Sequence, residues 1–213
     1  MWRTFRFWTV MVLYTFSIGI PIIVFSLVTF GVFKHWIIRN IGPLWGKVAF
    51  LLAGVKFRFL GREWVAERTP QVLILNHAST LDLFVGACMR LPAVATVGKI
   101  ELWRTPVLGQ AFALLGFVFI DRGDHQGAMR SLRKLLAKVR RQRLTVAFAP
   151  EGTRSKTGKL LPFKVGAFLM AREADIPVVP LVIHGAWNLL RPGEWTVRPG
   201  ELVAEVKAPR KIP

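Results

Sequence analysis

The chain has 213 residues, 53% of them hydrophobic, and 30 Lys and Arg against 12 Asp and Glu give a formal net charge of +18 at pH 7. This length fits one domain, the apolar content excludes a disordered chain, and the single cysteine excludes an intramolecular disulfide framework. A chain that is both this apolar and this basic is expected to bind an anionic partner, either a membrane surface or a nucleic acid.

An apolar segment dominates the N-terminus. Between Arg6 and Lys34 no side chain carries a formal charge. Residues 7–33 exceed the roughly 20 residues that a helix needs to cross a bilayer, and they lack the small-residue cleavage site of a signal peptide. Because Pro21 predicts a kink, two arrangements fit this segment: a bent spanning helix, or two half-helices that enter and leave one leaflet.

Basic residues flank this apolar segment, and the chain carries no acidic residue before Glu63. Lys and Arg beside apolar segments favour an anionic leaflet, at about 1 kcal/mol each near the surface. A second helix, short and interfacial, is predicted at residues 43–55. Trp2, Trp8 and Trp36 are expected to anchor the chain at the membrane interface. We therefore assign residues 1–55 to N-terminal membrane-anchoring helices.

From residue 56 onward, short apolar runs alternate with helix-like segments. Strands are predicted at 72–75, 94–97, 117–120, 144–148 and 178–183, with an edge strand near 202–207. Helices are predicted at 80–89, 106–115, 127–141 and 165–174. This alternation predicts an α/β domain over residues 56–213, with a mostly parallel sheet and flanking helices.

Polar residues follow the first of these predicted strands, in the order Asn76-His77-Ala78-Ser79-Thr80-Leu81-Asp82. On one continuous helix His77 and Asp82 would point about 140° apart, so they can meet only if His77 precedes the helix and Asp82 lies in its first turn. Asp82 could then accept from one ring nitrogen of His77 and leave the other as a general base. The structural alternative is that Asp82 caps the helix and His77 fills a turn.

Two further loops carry groups suited to an anion. In Glu151-Gly152-Thr153-Arg154, the glycine allows close backbone approach and the next two residues provide donors. The other loop begins at Lys99-Ile100-Glu101, passes Pro106 and Gly109, and ends at Asp121-Arg122. Each loop by itself is equally compatible with a turn or a helix cap.

Together these motifs resemble one family. The His77 loop, the Lys99 to Arg122 loop, the Glu151 loop and Ile176-Pro177-Val178-Val179-Pro180 look like the four ordered motifs of the glycerolipid acyltransferases. The resemblance is greatest to the bacterial 1-acylglycerol-3-phosphate acyltransferases of the PlsC type, and it covers roughly residues 60–185. It implies an α/β catalytic domain that N-terminal helices dock to the membrane. One departure is Ile100, which stands where relatives often carry a second lysine.

The resemblance also implies a reaction, in which an acyl group moves from a thioester to the free sn-2 hydroxyl of lysophosphatidate and gives phosphatidate. The donor would be acyl-CoA or an acyl carrier protein, and neither a metal nor another cofactor is implied. His77 is the implied general base, and Asp82 orients it and stabilises the imidazolium. The expected location is the bacterial inner membrane, with the active site on the cytoplasmic side.

Further roles follow from the same resemblance. Glu151, Gly152, Thr153 and Arg154 belong to the site for the acceptor phosphate, and Lys99 and Arg122 are additional candidates for that anion, which forked cationic donors suit. Glu151 is expected to hold a neighbouring arginine rather than to touch the phosphate. The prolines of the last motif, Pro177 and Pro180, are expected to shape a wall beside the acyl chain.

The predicted helix 127–141 has an apolar stripe and one strongly basic face. Its cations are Arg130, Arg133, Lys134, Lys138, Arg140 and Arg141, and Arg143 follows directly after it. This face suits anionic lipid headgroups, an acidic acyl carrier protein or a phosphate of coenzyme A, and a merely solvated face is equally compatible with it. No nucleic acid is expected as a partner, since the apolar N-terminal segment would serve no purpose there.

Three alternatives stay open. The same chemistry could serve another acceptor: a different lysophospholipid, glycerol 3-phosphate or a lyso-ornithine lipid. Ser79 or Cys88 could act as a covalent nucleophile, although no Gly-x-Ser-x-Gly elbow occurs. Finally, the chain could be a basic membrane-binding protein without activity, against which the complete His77–Asp82 pair argues.

Overall fold

The computed structural model describes residues 1–65, 70–91, 93–121 and 123–212. Within these residues, seven strands form one sheet in the order β1-β7-β6-β2-β5-β3-β4. They are β1 (Val55–Leu60), β2 (Gln71–Leu75), β3 (Val94–Lys99), β4 (Val118–Ile120), β5 (Thr145–Phe148), β6 (Val178–His184) and β7 (Gly200–Val206). The five strands from β6 to β4 run parallel, whereas β1 and β7 run in the opposite direction. The predicted α/β class with a mostly parallel sheet is confirmed.

Helices cover both faces of this sheet: α1 (Trp2–Val28), α2 (Lys34–Asn40), α3 (Gly42–Ala53), α4 (Asp82–Cys88), α5 (Ile100–Trp103), α6 (Leu108–Leu115), α7 (His125–Gln142), α8 (Gly166–Ala174) and α9 (Ala186–Leu189), with a 3-10 turn at Arg62–Trp64. Successive side chains of a strand point to opposite faces. In β2, accordingly, Leu73 joins the core formed with α1, α3, α4 and α6, and Val72 joins the core formed with α7 and α8.

The predicted strands are confirmed to within two residues at each end, but the edge assignment of β7 is wrong. β7 lies between β6 and β1, because the unpredicted strand β1 pairs with it along its whole length. In β1 the exposed Lys56 and Arg58 alternate with apolar residues that face inward. A search for continuous apolar runs therefore passes over this strand, whereas the alternation is typical of an edge strand.

The N-terminal apolar segment forms α1, one helix of 27 residues that continues through Pro21. Two separate half-helices are not formed. By length and composition α1 could cross a membrane, and only 17% of its most apolar window is buried. Large apolar side chains in and after its second half are exposed, among them Val28, Phe30 and Val32. Exposed apolar surface of this extent is typical of membrane contact.

The first half of α1 packs on the α/β core. Phe7 is fully buried there, and Met11 is nearly so. The indole Nε1 of Trp45, in α3, donates to Thr15 Oγ1 over 3.0 Å, and Trp8 Nε1 donates to the carbonyl of Trp195 over 2.8 Å. The N-terminal helix is thus part of the folded unit over half its length.

The predicted helices in the α/β part are confirmed within two residues, as are those at 43–55 and 127–141. α3 ends at Ala53 because Gly54, at φ +70°, adopts the left-handed conformation that terminates helices. In α7, Leu135 and Val139 are buried while Lys134 and Arg141 are exposed, so its amphipathic character is also confirmed. The partner of its basic face stays a prediction.

Candidate active site

The three polar loops meet at one edge of the sheet. They follow β2, β5 and β3, which are adjacent and parallel, so their carboxyl ends lie together. In open α/β sheets ligands bind in crevices at this edge. Since adjacent strands lie about 4.8 Å apart, the end of β3 is about 10 Å from that of β2.

His77 and Asp82 form a hydrogen-bonded pair at the end of β2. His77 lies in the turn before α4, and Asp82 is the first residue of α4, which is the arrangement that the five-residue spacing requires. The two atoms His77 Nδ1 and Asp82 Oδ2 are 2.8 Å apart, and the carboxylate is 2% exposed against 27% for the imidazole. A carboxylate only accepts, so in the neutral imidazole that a general base requires, Nδ1–H donates and Nε2 carries the lone pair. The described residues offer no hydrogen-bond partner to Nε2, which is therefore available to a substrate proton.

The Asp82 carboxylate also organises the turn that carries His77. Its Oδ2 accepts from the backbone N–H of Ala78 over 2.9 Å and of Ser79 over 3.0 Å. Its Oδ1 is buried and has no partner in the described part of the chain. Three donors on one oxygen fix the orientation of the carboxylate and hence of the imidazole.

The two candidate covalent nucleophiles are engaged elsewhere. Ser79 is fully buried, and its hydroxyl donates to the carbonyl of Leu190 over 2.7 Å while accepting from Leu81 N–H. The Cys88 thiol lies at the far end of α4 near the Pro43 carbonyl, and burial raises its pKa to about 11. A thiol with this pKa is almost entirely protonated at pH 7, so it is a poor nucleophile.

We expect Cys88→Ala to retain at least half of the wild-type kcat/KM in an acyl-transfer assay. Removing one half-buried sulfur costs about 1 kcal/mol of stability at most, as for other small truncations. The measurement is initial rate against acceptor concentration, with thermal unfolding as the folding control. A more than tenfold loss at unchanged Tm would contradict the assignment.

Glu151 connects the loop after β5 to the turn that carries His77. Its side chain is buried, Oε1 accepts from His77 N–H over 2.7 Å, and Oε2 accepts from Leu161 N–H over 2.8 Å. Among the described residues these two N–H groups, and no arginine, are the partners of its carboxylate, so the expected arginine partner stays a prediction. Glu151 positions the backbone of the predicted base.

Arg154 reaches the turn that carries His77, where its Nη1 donates to Thr80 Oγ1. Gly152 adopts φ +73°, and a Cβ built on it would lie 2.9 Å from Cε and 3.1 Å from Nζ of Lys164. The Lys164 side chain therefore lies directly over the glycine, a position that a larger residue would occupy. Thr153 is exposed in the same loop.

Two cations, Arg154 and Lys164, lie in the loop around Gly152. Lys164 belongs to none of the motifs described above. It follows Lys156 and Lys159 along the same loop, and nothing in the order of residues distinguishes the three. The fold distinguishes Lys164, because its N–H donates to the Pro150 carbonyl and brings the chain back onto the loop.

Lys99 stands apart from this group. Lys99 ends β3 and forms an ion pair of 2.7 Å with Glu101, with both side chains about half exposed. The Lys99 hydrogen bond holds the pKa of Glu101 below its usual value. Arg122 lies outside the described residues, so its expected role stays a prediction. In the same motif, a Cβ on Gly109 would lie 2.1 Å from the Trp103 carbonyl oxygen, so this glycine allows α6 to pack on α5.

Two adjoining cavities open beside β2 on the side of β6. One of about 250 Å³ is mainly apolar, and its lining includes His77, Leu160, Phe163 and Pro180. The other, of about 320 Å³, is mainly polar and lies between residues 157–159 and the start of α9. Pro177 does not line either of them; its carbonyl accepts from Val72 N–H in the sheet.

Comparison with known proteins adds a consistent result. A model of the acyltransferase family matches residues 56–184. A 1-acyl-sn-glycerol-3-phosphate acyltransferase of Saccharomyces cerevisiae is 35% identical over 161 residues, which are 75% of this chain and 53% of that protein. A protein of the same name from Haemophilus influenzae is 29% identical over 170 residues, 73% of this chain and 70% of the other. This chain thus spans about half the length of the yeast relative.

Among solved structures, the 1-acyl-sn-glycerophosphate (LPA) acyltransferase PlsC from Thermotoga maritima has a similar fold. The TM-score is 0.73 at 25% sequence identity, and the match covers 98% of this chain and 88% of that one. The similarity therefore includes the N-terminal helices as well as the sheet.

Proposed function

This chain belongs to the acyltransferase family, and we propose that it is a membrane-bound O-acyltransferase acting on 1-acyl-glycerol 3-phosphate. A fatty acyl group moves from a thioester donor to the sn-2 hydroxyl, and the product is phosphatidate. The observation that carries the proposal is the His77–Asp82 pair, whose Nε2 has no partner among the described residues and whose turn Arg154 contacts through Thr80. The names of the relatives support the choice of acceptor. No metal or other cofactor takes part.

The proposed chemistry is direct transfer without an acyl-enzyme. His77 Nε2 removes the proton of the acceptor hydroxyl as its oxygen attacks the thioester carbonyl carbon. The new C–O ester bond forms, the C–S bond breaks, and the imidazolium returns its proton to the departing thiolate. Asp82 holds Nδ1–H in place and stabilises the imidazolium by its charge.

Arg154 and Lys164 are proposed to bind the acceptor phosphate. A phosphate monoester carries nearly two negative charges, and guanidinium and ammonium groups satisfy its oxygens by charge-assisted hydrogen bonds. Both cations belong to the loop after β5, and Arg154 already contacts the turn of His77. A phosphate held there would keep the acceptor hydroxyl near His77. Lys99 and Arg122 are further candidates for the same anion.

Membrane attachment is proposed through the exposed part of α1, at the bacterial inner membrane with the active site on the cytoplasmic side. The basic residues that flank α1, such as Lys34 and Arg39, suit the anionic lipids of that leaflet. Attachment would present the base to a lipid acceptor that never leaves the membrane surface.

We expect Arg154→Ala and Lys164→Gln each to raise the KM for lysophosphatidate by about ten- to a hundredfold, because each removes a charge-assisted contact of about 1.5–3 kcal/mol. With monoacylglycerol, which lacks the phosphate, the kcat/KM of both variants should stay within about twofold of wild type. The controls are Arg172→Ala and Lys211→Gln, which remove a like charge elsewhere. Equal losses with both acceptors would argue against a phosphate contact.

Acyl transfer in detergent micelles tests the function itself. Labelled acyl-CoA or acyl carrier protein is supplied with lysophosphatidate, another lysophospholipid, glycerol 3-phosphate or lyso-ornithine lipid. Labelled phosphatidate as the main product supports the proposal. Transfer to lyso-ornithine lipid alone would keep the chemistry and overturn the acceptor, and no transfer from either donor would favour a membrane-binding protein without activity.

A further inference from the structure

A polar groove on the β6 side of His77 takes no part in the chemistry described so far. Its floor includes Asn76 and its walls include Thr157, Gly158, Trp187 and Asn188, and it is the cavity of about 320 Å³. We propose that this groove binds the phosphopantetheine arm of the acyl donor, the part that coenzyme A and acyl carrier proteins share. The inference rests on the proposed function, since a thioester donor is required.

The topology separates two approaches to His77. β2, which carries His77 at its end, has β5 on one side and β6 on the other. Arg154, proposed for the acceptor phosphate, lies in the loop after β5, whereas the groove lies over the end of β6 and the start of α9. Two substrates must meet at one base, and the β6 side is the approach that the acceptor leaves open.

The groove leads to the base. It shares Asn76, Ala78, Gly158 and Lys159 with the adjoining apolar cavity, which His77 lines. Residues 155–159 contribute to the lining of both cavities. This segment crosses the end of β2, where Ser155 N–H donates to the His77 carbonyl over 2.8 Å. A chain lying in the groove would therefore have its inner end beside the cavity that His77 lines.

Specific contacts hold Trp187 in place in the wall of the groove. Trp187 Nε1 donates to the Lys156 carbonyl over 3.2 Å. Gly158 adopts φ +79°, and a Cβ there would lie 2.9 Å from the Trp187 ring, so only glycine lets the ring seat against this segment. The ring is also covered by the Arg191 guanidinium, 4.2 Å from its centroid.

The chemistry of the groove matches the arm along its length. Phosphopantetheine has a phosphate at one end, two amides in the middle and the sulfur at the other end. Lys159 lines the groove, and the Arg191 guanidinium lies over Trp187, one of its walls, so both are placed to meet a phosphate there. Arg191 also lies 3.7 Å from the Glu194 carboxylate. The polar lining suits the two amides, and the volume lies in the range of small-molecule sites. The sulfur end would then point toward His77.

Donor truncation tests this assignment. Acyl-CoA, acyl-phosphopantetheine, acyl-pantetheine and acyl-N-acetylcysteamine are compared with lysophosphatidate as acceptor, using wild type, Lys159→Gln, Arg191→Gln and the double variant. We expect the double variant to raise the KM about tenfold or more for the two phosphorylated donors, and for acyl carrier protein, with less than twofold change for the two others. Lys211→Gln and Arg172→Gln serve as controls of equal charge.

A second variant, Thr157→Trp, fills the groove without removing a cation. It should raise the KM for acyl-pantetheine as well, and leave that for acyl-N-acetylcysteamine unchanged. Equal changes with all donors, or none, would overturn the proposal. So would a loss confined to acyl-CoA, because the contact would then be to its nucleotide part.

Calorimetric titration with phosphopantetheine, in the absence of acceptor, separates this inference from the proposed function. Binding that the double variant weakens about tenfold supports the groove, even if wild type makes no phosphatidate and the proposed function fails. Undiminished binding by the double variant would overturn the groove, even if phosphatidate is formed.

Discussion

His77→Ala is expected to lower kcat for phosphatidate formation by about 10²–10⁴-fold, with little change in the KM for either substrate. The reason is that a positioned general base contributes roughly this factor, and no other group in the described residues lies in its place. Stability should change by less than about 2 kcal/mol, because Asp82 keeps its two backbone donors. The measurement is single-turnover acyl transfer, together with urea unfolding of the same preparation.

His184→Ala is the matched control for this variant. His184 ends β6 at the same edge of the sheet and is exposed, and among the described residues its imidazole has Glu205 as its ionic partner, at 3.6 Å. We expect the control to keep its activity within twofold. If His77→Ala retained wild-type turnover, direct base catalysis by this residue would be excluded.

The second large effect is expected at Asp82, and it depends on the substituted group. In Asp82→Asn the amide oxygen must take the place of Oδ2, because the N–H groups of Ala78 and Ser79 both point there. That oxygen still accepts from His77 Nδ1–H, so the imidazole keeps the tautomer that leaves Nε2 as the base. Only the negative charge is lost, which we expect to lower kcat about 10²–10³-fold, equivalent to about 3–4 kcal/mol.

This expectation differs from a serine protease, where Asp→Asn inverts the tautomer and costs about 10⁴-fold. The cost of Asp82→Asn in stability should be about 1–3 kcal/mol, because its NH2 group replaces the buried Oδ1, which has no partner among the described residues. For Asp82→Ala, kcat and stability should both be lower than for Asp82→Asn, since three donors lose their acceptor. A kcat for Asp82→Asn as low as that of His77→Ala, at native stability, would indicate that the amide had turned its NH2 group toward the imidazole.

The order and boundaries of most elements follow from local pattern. Short β-branched runs alternate with amphipathic helices from residue 72 onward, and the structure keeps this order. Local pattern does not predict β1, because this segment becomes a strand only by pairing with β7, which begins 140 residues after β1 ends. The exposed Arg58, for example, forms an ion pair of 3.1 Å with Glu201 on the paired strand.

In the candidate site, too, one feature follows from local spacing and another depends on the tertiary fold. The five-residue spacing of His77 and Asp82 determined a geometric condition that any fold had to satisfy, because both belong to one strand–turn–helix unit. The role of Glu151 was beyond such reasoning, since its two partners are backbone N–H groups of His77 and Leu161, which side-chain chemistry does not reveal.

Residues near one another in the chain are enough to predict the α/β class, the apolar N-terminal segment and the condition under which His77 and Asp82 can pair. The tertiary fold is needed to place Lys164 rather than Lys156 over Gly152 and to form the polar groove beside the apolar cavity that His77 lines. The physical reason is that these arrangements depend on how a long loop returns across the strand ends. That return is fixed by a few hydrogen bonds, such as that of Lys164 N–H to Pro150, and by the close approach that glycine permits.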